Sequence, residues 1–99
     1  MIILAGTIRL AQGKRAVAQA ALARMVEATR KESGCIDYSF GFDVLDEQLL
    51  RIFEVFRDAA ALAEHRASAH MAEWRGVAGE LGIHDRNLRQ YEVSSSQVI

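Results

Sequence analysis

The chain is predicted to fold as α+β in the ferredoxin-like order β-α-β-β-α-β, and three observations carry that prediction. Segments alternating with the two-residue period of strands are interleaved, in that order, with segments of helical spacing. Two of the strand-like segments are joined by a short polar turn, as in an antiparallel hairpin. At 99 residues there is length for one sheet backed by helices and no second core, so residues 1–99 read as a single domain.

Ile2, Leu4, Ile8 and Leu10 fall on one face of a first strand, Ile2 to Leu10, and Gly13 breaks it. From Lys14 to Lys31 the apolar positions Ala18, Leu22, Met25 and Thr29 keep helical spacing, with Lys and Arg closing the last turns where the helix dipole favours cations. Ser33 and Gly34 end that helix. Ile36, Tyr38, Phe40 and Phe42 then alternate with Cys35, Asp37, Ser39 and Gly41 as a second strand. Asp46 to Gln48 is the polar turn into a third strand, Leu49 to Arg57, whose two faces are both apolar: Leu50, Ile52 and Phe56 on one, Leu49, Phe53 and Val55 on the other. Asp58 suits the N-cap of a helix running to Arg66, and Ser68 that of a second helix carrying Met71, Trp74, Val77 and Leu81 before Gly82. The last strand, Ile83 to Val93, is interrupted by Asp85, Arg86 and Asn87. The serine-rich tail, residues 94–99, is expected to be mobile or to dock on a partner subunit.

Hydrophobic residues make up 51% of the chain, more apolar surface than one small monomer readily hides, and the helices cover only one face of the sheet. The two-faced third strand therefore predicts a homodimer with two sheets packed face to face, burying more than roughly 1,200 Å². Net charge is -1, with 12 basic and 13 acidic residues interspersed, which argues against nucleic acid and anionic membrane as partners. The single cysteine, Cys35, excludes an internal disulfide, and no apolar run is long enough to span a bilayer. A soluble, cytoplasmic protein is expected.

Groups able to do chemistry gather between Glu54 and Trp74, which hold two of the three histidines and the only tryptophan. His65 and His70 are five apart, so one continuous helix would turn them about 140° from each other, which speaks against a simple metal pair. A helix break near Ser68 would let both rings meet in one cleft; without it they cap helix ends or sit half exposed. Glu54 shares a strand face with Ile52 and Phe56, where burial would raise its pKa and suit it to acid or base work. Pairing with one of the chain's 10 arginines is the alternative. Tyr38 and Trp74 offer flat apolar surfaces for an aromatic ring, or simple core packing, and Cys35 reads as a structural thiol. No phosphate loop, GxGxxG, CxxC or HExxH occurs, so no nucleotide, flavin or structural metal is expected.

ESGCIDY (Glu32 to Tyr38), EVF (Glu54 to Phe56) and AEHRASAHMAEW (Ala63 to Trp74) together resemble the antibiotic biosynthesis monooxygenase (ABM) superfamily, and within it the small bacterial quinol monooxygenase-like proteins. The resemblance runs over nearly the whole chain. It implies a dimeric α+β barrel and a cofactor-independent monooxygenase that oxidises small aromatic phenols or quinols with O2, without flavin, haem or metal. It puts Tyr38, Glu54, His65, His70 and Trp74 near the pocket. His65 or His70 would be the base, Glu54 would orient a ring or hold the proton, and Trp74 and Phe56 would stack on the substrate. Ser33, where many relatives carry proline, and Phe56, where they carry tryptophan, mark a divergent member. Gly6 and Arg75 stand where the haem-degrading branch has asparagine and histidine, which disfavours that activity.

The same fold implies two rivals: a cofactor-free isomerase of small oxo-compounds, using the same histidine and glutamate as proton shuttles, and a dimer that only binds a ligand. Oxygen consumption in proportion to product separates the first reading from both.

Overall fold

The computed structural model describes residues 1–99. Four strands and three helices follow in the order β1 (Ile2–Arg9), α1 (Arg15–Arg30), β2 (Cys35–Phe42), β3 (Leu49–Phe56), α2 (Ala59–Arg66), α3 (Ala69–Ala78) and β4 (His84–Glu92). They form one antiparallel sheet of order β2-β3-β1-β4, the ferredoxin-like arrangement with the second helical stretch divided in two.

The register explains which side chains meet. Pairing of Ile2 with Phe56, Leu4 with Glu54, Gly6 with Ile52 and Ile8 with Leu50 puts one alternate set from β1 and β3 under the helices. Leu50 and Phe56 are fully buried there, and Ala18, Ala21, Leu22, Met25 and Thr29 of α1 supply the facing stripe at helical spacing. Two clusters result. Ile8, Leu10, Ala18, Leu22, Leu50, Ile52 and Leu81 form one, and Ile2, Met25, Tyr38, Phe56, Ala61 and Leu62 the other.

Glycine permits two close approaches. A β-carbon on Gly6 would stand 1.9 Å from the Asn87 carbonyl oxygen, and one on Gly34 would stand 2.3 Å from Cβ of Ala61. The first lets β4 lie against β1. The second lets the first turn of α2 sit down on the entry to β2.

Two local expectations are corrected. Ile36 does not share the inner face with Tyr38, because a register shift between Cys35 and Asp37 inserts an extra residue. Cys35 packs inward and Ile36 is left 57% exposed. Leu81 lies beyond the helix that was to carry it, since α3 ends at Ala78 and Gly79, a poor helix former, is its C-cap. The turn that follows carries Leu81 into the core, where it is fully buried, and Gly82 reverses the chain at φ +62°.

The helices stop short of the far edge of the sheet. All nine residues of β4 are exposed, and the inner face between β4, β1 and the α2–α3 junction is an open cavity rather than packed core. On the outer face Phe53, Ile36 and Tyr91 are exposed in this single chain. No helix is long and apolar enough to cross a membrane.

Candidate active site

The break between α2 and α3 creates the site. Asp58 starts α2 by accepting a hydrogen bond from the Ala61 backbone N–H at 2.8 Å, and Ser68 starts α3 by accepting one from Met71 N–H at 3.2 Å. Ser68 also donates its hydroxyl to the His65 carbonyl at 2.6 Å, so one side chain closes α2 and opens α3. Its extended backbone, φ -71° and ψ 156°, redirects the chain. His65 in the last turn of α2 and His70 in the first turn of α3 consequently face each other, with ring centroids 5.8 Å apart.

What they share is Glu32, in the loop after α1. His65 Nδ1 lies 2.9 Å from Glu32 Oε2, and His70 Nε2 lies 2.5 Å from the same oxygen. With Nδ1–H of His65 donating to the carboxylate, the other ring nitrogen, Nε2, is bare and points to Glu54, whose Oε1 is 3.9 Å away. The order along this line is His70, Glu32, His65, Glu54. Sequence reasoning assigned Glu32 no role, although it heads the ESGCIDY segment; its meaning arises only when the helix break brings both rings to it.

The His65 ring is 3% exposed and wedged between Tyr38 and Phe56, at centroid distances of 5.3 and 4.9 Å. Burial holds its pKa below the ordinary value even though Glu32 pulls the other way. Burial pushes Glu54 up to about 7, against an opposing effect from the Arg66 charge. Burial and the neighbouring Glu54 also push the Tyr38 hydroxyl up, which keeps it protonated. The Thr29 hydroxyl beside it is fully buried and makes no aligned hydrogen bond.

Glu54 and His65 open into a cavity of about 350 Å³, walled by apolar side chains including Leu4, Ile52, Leu62 and Leu88. Tyr38 and Trp74 line it as well. His70 does not: it borders a separate crevice of about 70 Å³ between α1 and α3, on the far side of Glu32. Phe56 does not either, because it is fully buried behind the His65 ring. It supports the histidine and cannot stack on a molecule in the cavity. Arg66, Arg75 and Arg86 lie at the rim, and sequence reasoning passed over all three as sites of chemistry.

Glu32, His65 and His70 are also the one set of side chains whose donor atoms, all within 4.8 Å of one another, could hold a metal ion. In this structure the trio is joined by hydrogen-bond contacts, 2.9 Å from Glu32 to His65 and 2.5 Å from Glu32 to His70.

A family model described as antibiotic biosynthesis monooxygenase matches residues 1–77, and the chain belongs to that family. It is 29% identical over 98 residues to the uncharacterized protein sll1783 of Synechocystis, covering 99% of this chain and 67% of that one. It is 39% identical over 67 residues to Rv0793 of Mycobacterium tuberculosis, which carries a provisional monooxygenase name, covering 68% of this chain and 65% of that protein. The matches thus span about two thirds of these relatives' lengths. A structure from Deinococcus radiodurans superimposes with a TM-score of 0.89 at 24% identity, covering 100% of this chain and 98% of that one, which establishes the shared fold.

Proposed function

We propose that the protein is a cofactor-independent monooxygenase acting on a small aromatic phenol or quinol, with His65 as the base. The observation that carries this reading is the Glu32–His65–Glu54 line ending in an apolar cavity. Glu32 fixes the imidazole tautomer, as a carboxylate behind a catalytic histidine does, and leaves Nε2 free to accept a proton. Glu54, with a pKa of about 7, stands beside it as a proton donor near neutrality.

A substrate hydroxyl about 2.8 Å from both Nε2 and Oε1 fits the 3.9 Å gap between them. His65 takes its proton, and the resulting anion is electron-rich enough to pass one electron to O2. The radical pair combines at a ring carbon and takes back the proton held by His65 to form a hydroperoxide. His65 then removes that carbon's hydrogen as a proton while the O–O bond breaks and Glu54 protonates the departing oxygen. The proton on His65 afterwards restores Glu54. One oxygen atom stays as the quinone carbonyl and the other leaves as water, so the substrate is its own reductant and no external electron donor is needed. The apolar walls limit water around the anion, and Trp74 offers a flat face that fixes the ring plane.

The outer sheet face supports a homodimer, because Phe53, Val55, Ile3 and Tyr91 line up across β3, β1 and β4 through the pairs Val55–Ile3 and Ile3–Tyr91. A second copy is the proposed cover, and a monomer mass by light scattering at micromolar concentration would refute it.

The deciding experiment follows O2 uptake and product mass with reduced naphthoquinols or anthrones, with and without air and against heat-killed protein. Stoichiometric O2 consumption above the control is expected. Turnover without air would move the protein to the isomerases.

A further inference from the structure

Three arginines surround the cavity from three different elements: Arg66 at the end of α2, Arg75 on α3 and Arg86 on β4. None of them is in a salt bridge, whereas Arg9, Arg24, Arg51 and Arg57 are paired with Asp46, Glu73, Asp43 and Asp58. Arg75 gives two of its N–H groups to the Arg66 carbonyl, both at 3.3 Å, which holds its guanidinium over the C-terminal end of α2. The only carboxyl lining the cavity is Glu54, and burial favours its neutral form up to about pH 7. The rim is therefore strongly cationic on a chain whose net charge is -1.

We infer that these arginines form an anion subsite, and that the ligand of this cavity is an aromatic molecule carrying a carboxylate away from the hydroxyl that meets His65. Guanidinium groups bind carboxylates through paired, charge-assisted hydrogen bonds, and a cavity with low-dielectric walls concentrates their field at its mouth. The apolar interior takes the ring, the rim takes the charge, and the two together set which end of the molecule enters first. The same charge steadies the anion that forms when His65 removes the proton. This inference rests on reading the cavity as the substrate site, and it is tested by binding alone, without oxygen or turnover.

Calorimetric titration of the wild-type protein compares a hydroxynaphthoate with its neutral hydroxynaphthamide. The acid is expected to bind at least about tenfold more tightly at low salt, with the preference shrinking as ionic strength rises through about 0.15 M. In the triple variant R66Q, R75Q and R86Q the two ligands should bind equally. All three side chains are exposed, so folding is expected to survive the changes. Equal affinities in the wild type, no binding of either ligand, or a preference retained in the triple variant would overturn the subsite. A preference for the acid in a protein that consumes no O2 with any quinol would leave the subsite standing and remove the monooxygenase reading.

Discussion

Nε2 of His65 stands 3.9 Å from Oε1 of Glu54, too far for a hydrogen bond between them and close enough for one hydroxyl to touch both. Each of the two groups is pushed by burial toward its neutral form, His65 downward and Glu54 upward. Just below pH 7 the pair is a bare base beside a largely protonated acid. That is the state the proposed reaction starts from.

Substitutions along the line should have graded effects. His65→Gln removes the base and should lower kcat by at least about a hundredfold. Glu32→Gln keeps the shape but weakens the hold on Nδ1; it is expected to cost about ten- to a hundredfold and to change the pH profile as well as the rate. His70→Gln touches only the far side of Glu32 and should cost less than about fivefold. Steady-state rates on one quinol check the order, and a His70 effect as large as that of His65 would relocate the base.

The pH dependence of kcat/KM follows from the same two groups. The acid limb should lie below the ordinary histidine value of 6.5, because burial disfavours the imidazolium, and the alkaline limb should lie near 7, where Glu54 loses its proton. The two apparent values belong to the coupled pair. In Glu54→Gln the alkaline limb should vanish while the acid limb remains. An unaltered bell in that variant would take Glu54 out of the chemistry.

Stability should carry the signature too. The Glu54 carboxyl has its pKa raised from 4.5 to about 7, so the native state holds a proton that the unfolded chain releases. The wild type should thus lose stability relative to Glu54→Gln as pH rises from 4.5 through 7, by about 2–3 kcal/mol in all. His65 has the opposite sign. Its lowered pKa means that the wild type should lose stability relative to His65→Gln as pH falls below 6.5. Urea unfolding of the three proteins between pH 4 and 8 measures both differences.

The architecture was legible because it rests on periodicity. Alternation in Leu49–Phe56 and helical spacing in Arg15–Arg30 each describe one element, and short connections leave the topology little choice. Tyr38, Glu54, His65 and Trp74 could be placed near one pocket only through the family resemblance, since the faces of their separate elements do not by themselves bring them together. Glu32, Arg66 and Arg86 could not. Glu32 lies between elements, where no period applies, and Arg66 and Arg86 read as solvated charges until β4 and the end of α2 are seen to share a cavity rim. Ile36 was misassigned because a bulge leaves the two-residue pattern unbroken in the sequence while shifting it in space.

Ser68 tests whether the helix break makes the site. Its hydroxyl accepts from Met71 N–H and donates to the His65 carbonyl, so Ser68→Ala removes an N-cap and the closure of the preceding helix in one step. The loss of stability should be about 1 kcal/mol, a typical cap value. Activity should fall further than that loss explains. Without the cap, Ala67 to Ala69 can join α2 to α3, and a continuous helix would swing the two rings about 140° apart, leaving Glu32 able to hold only one. Ser68→Asp retains a capping oxygen and should recover most of the stability, and with it the rate. The imidazole resonances of His65 and His70 report the geometry directly: in Ser68→Ala their N–H protons should lose the downfield shift of a hydrogen bond to a carboxylate. Retention of those shifts together with full activity would mean that packing of α3 against α1, through contacts such as Arg24 with Glu73, holds the break open without the cap.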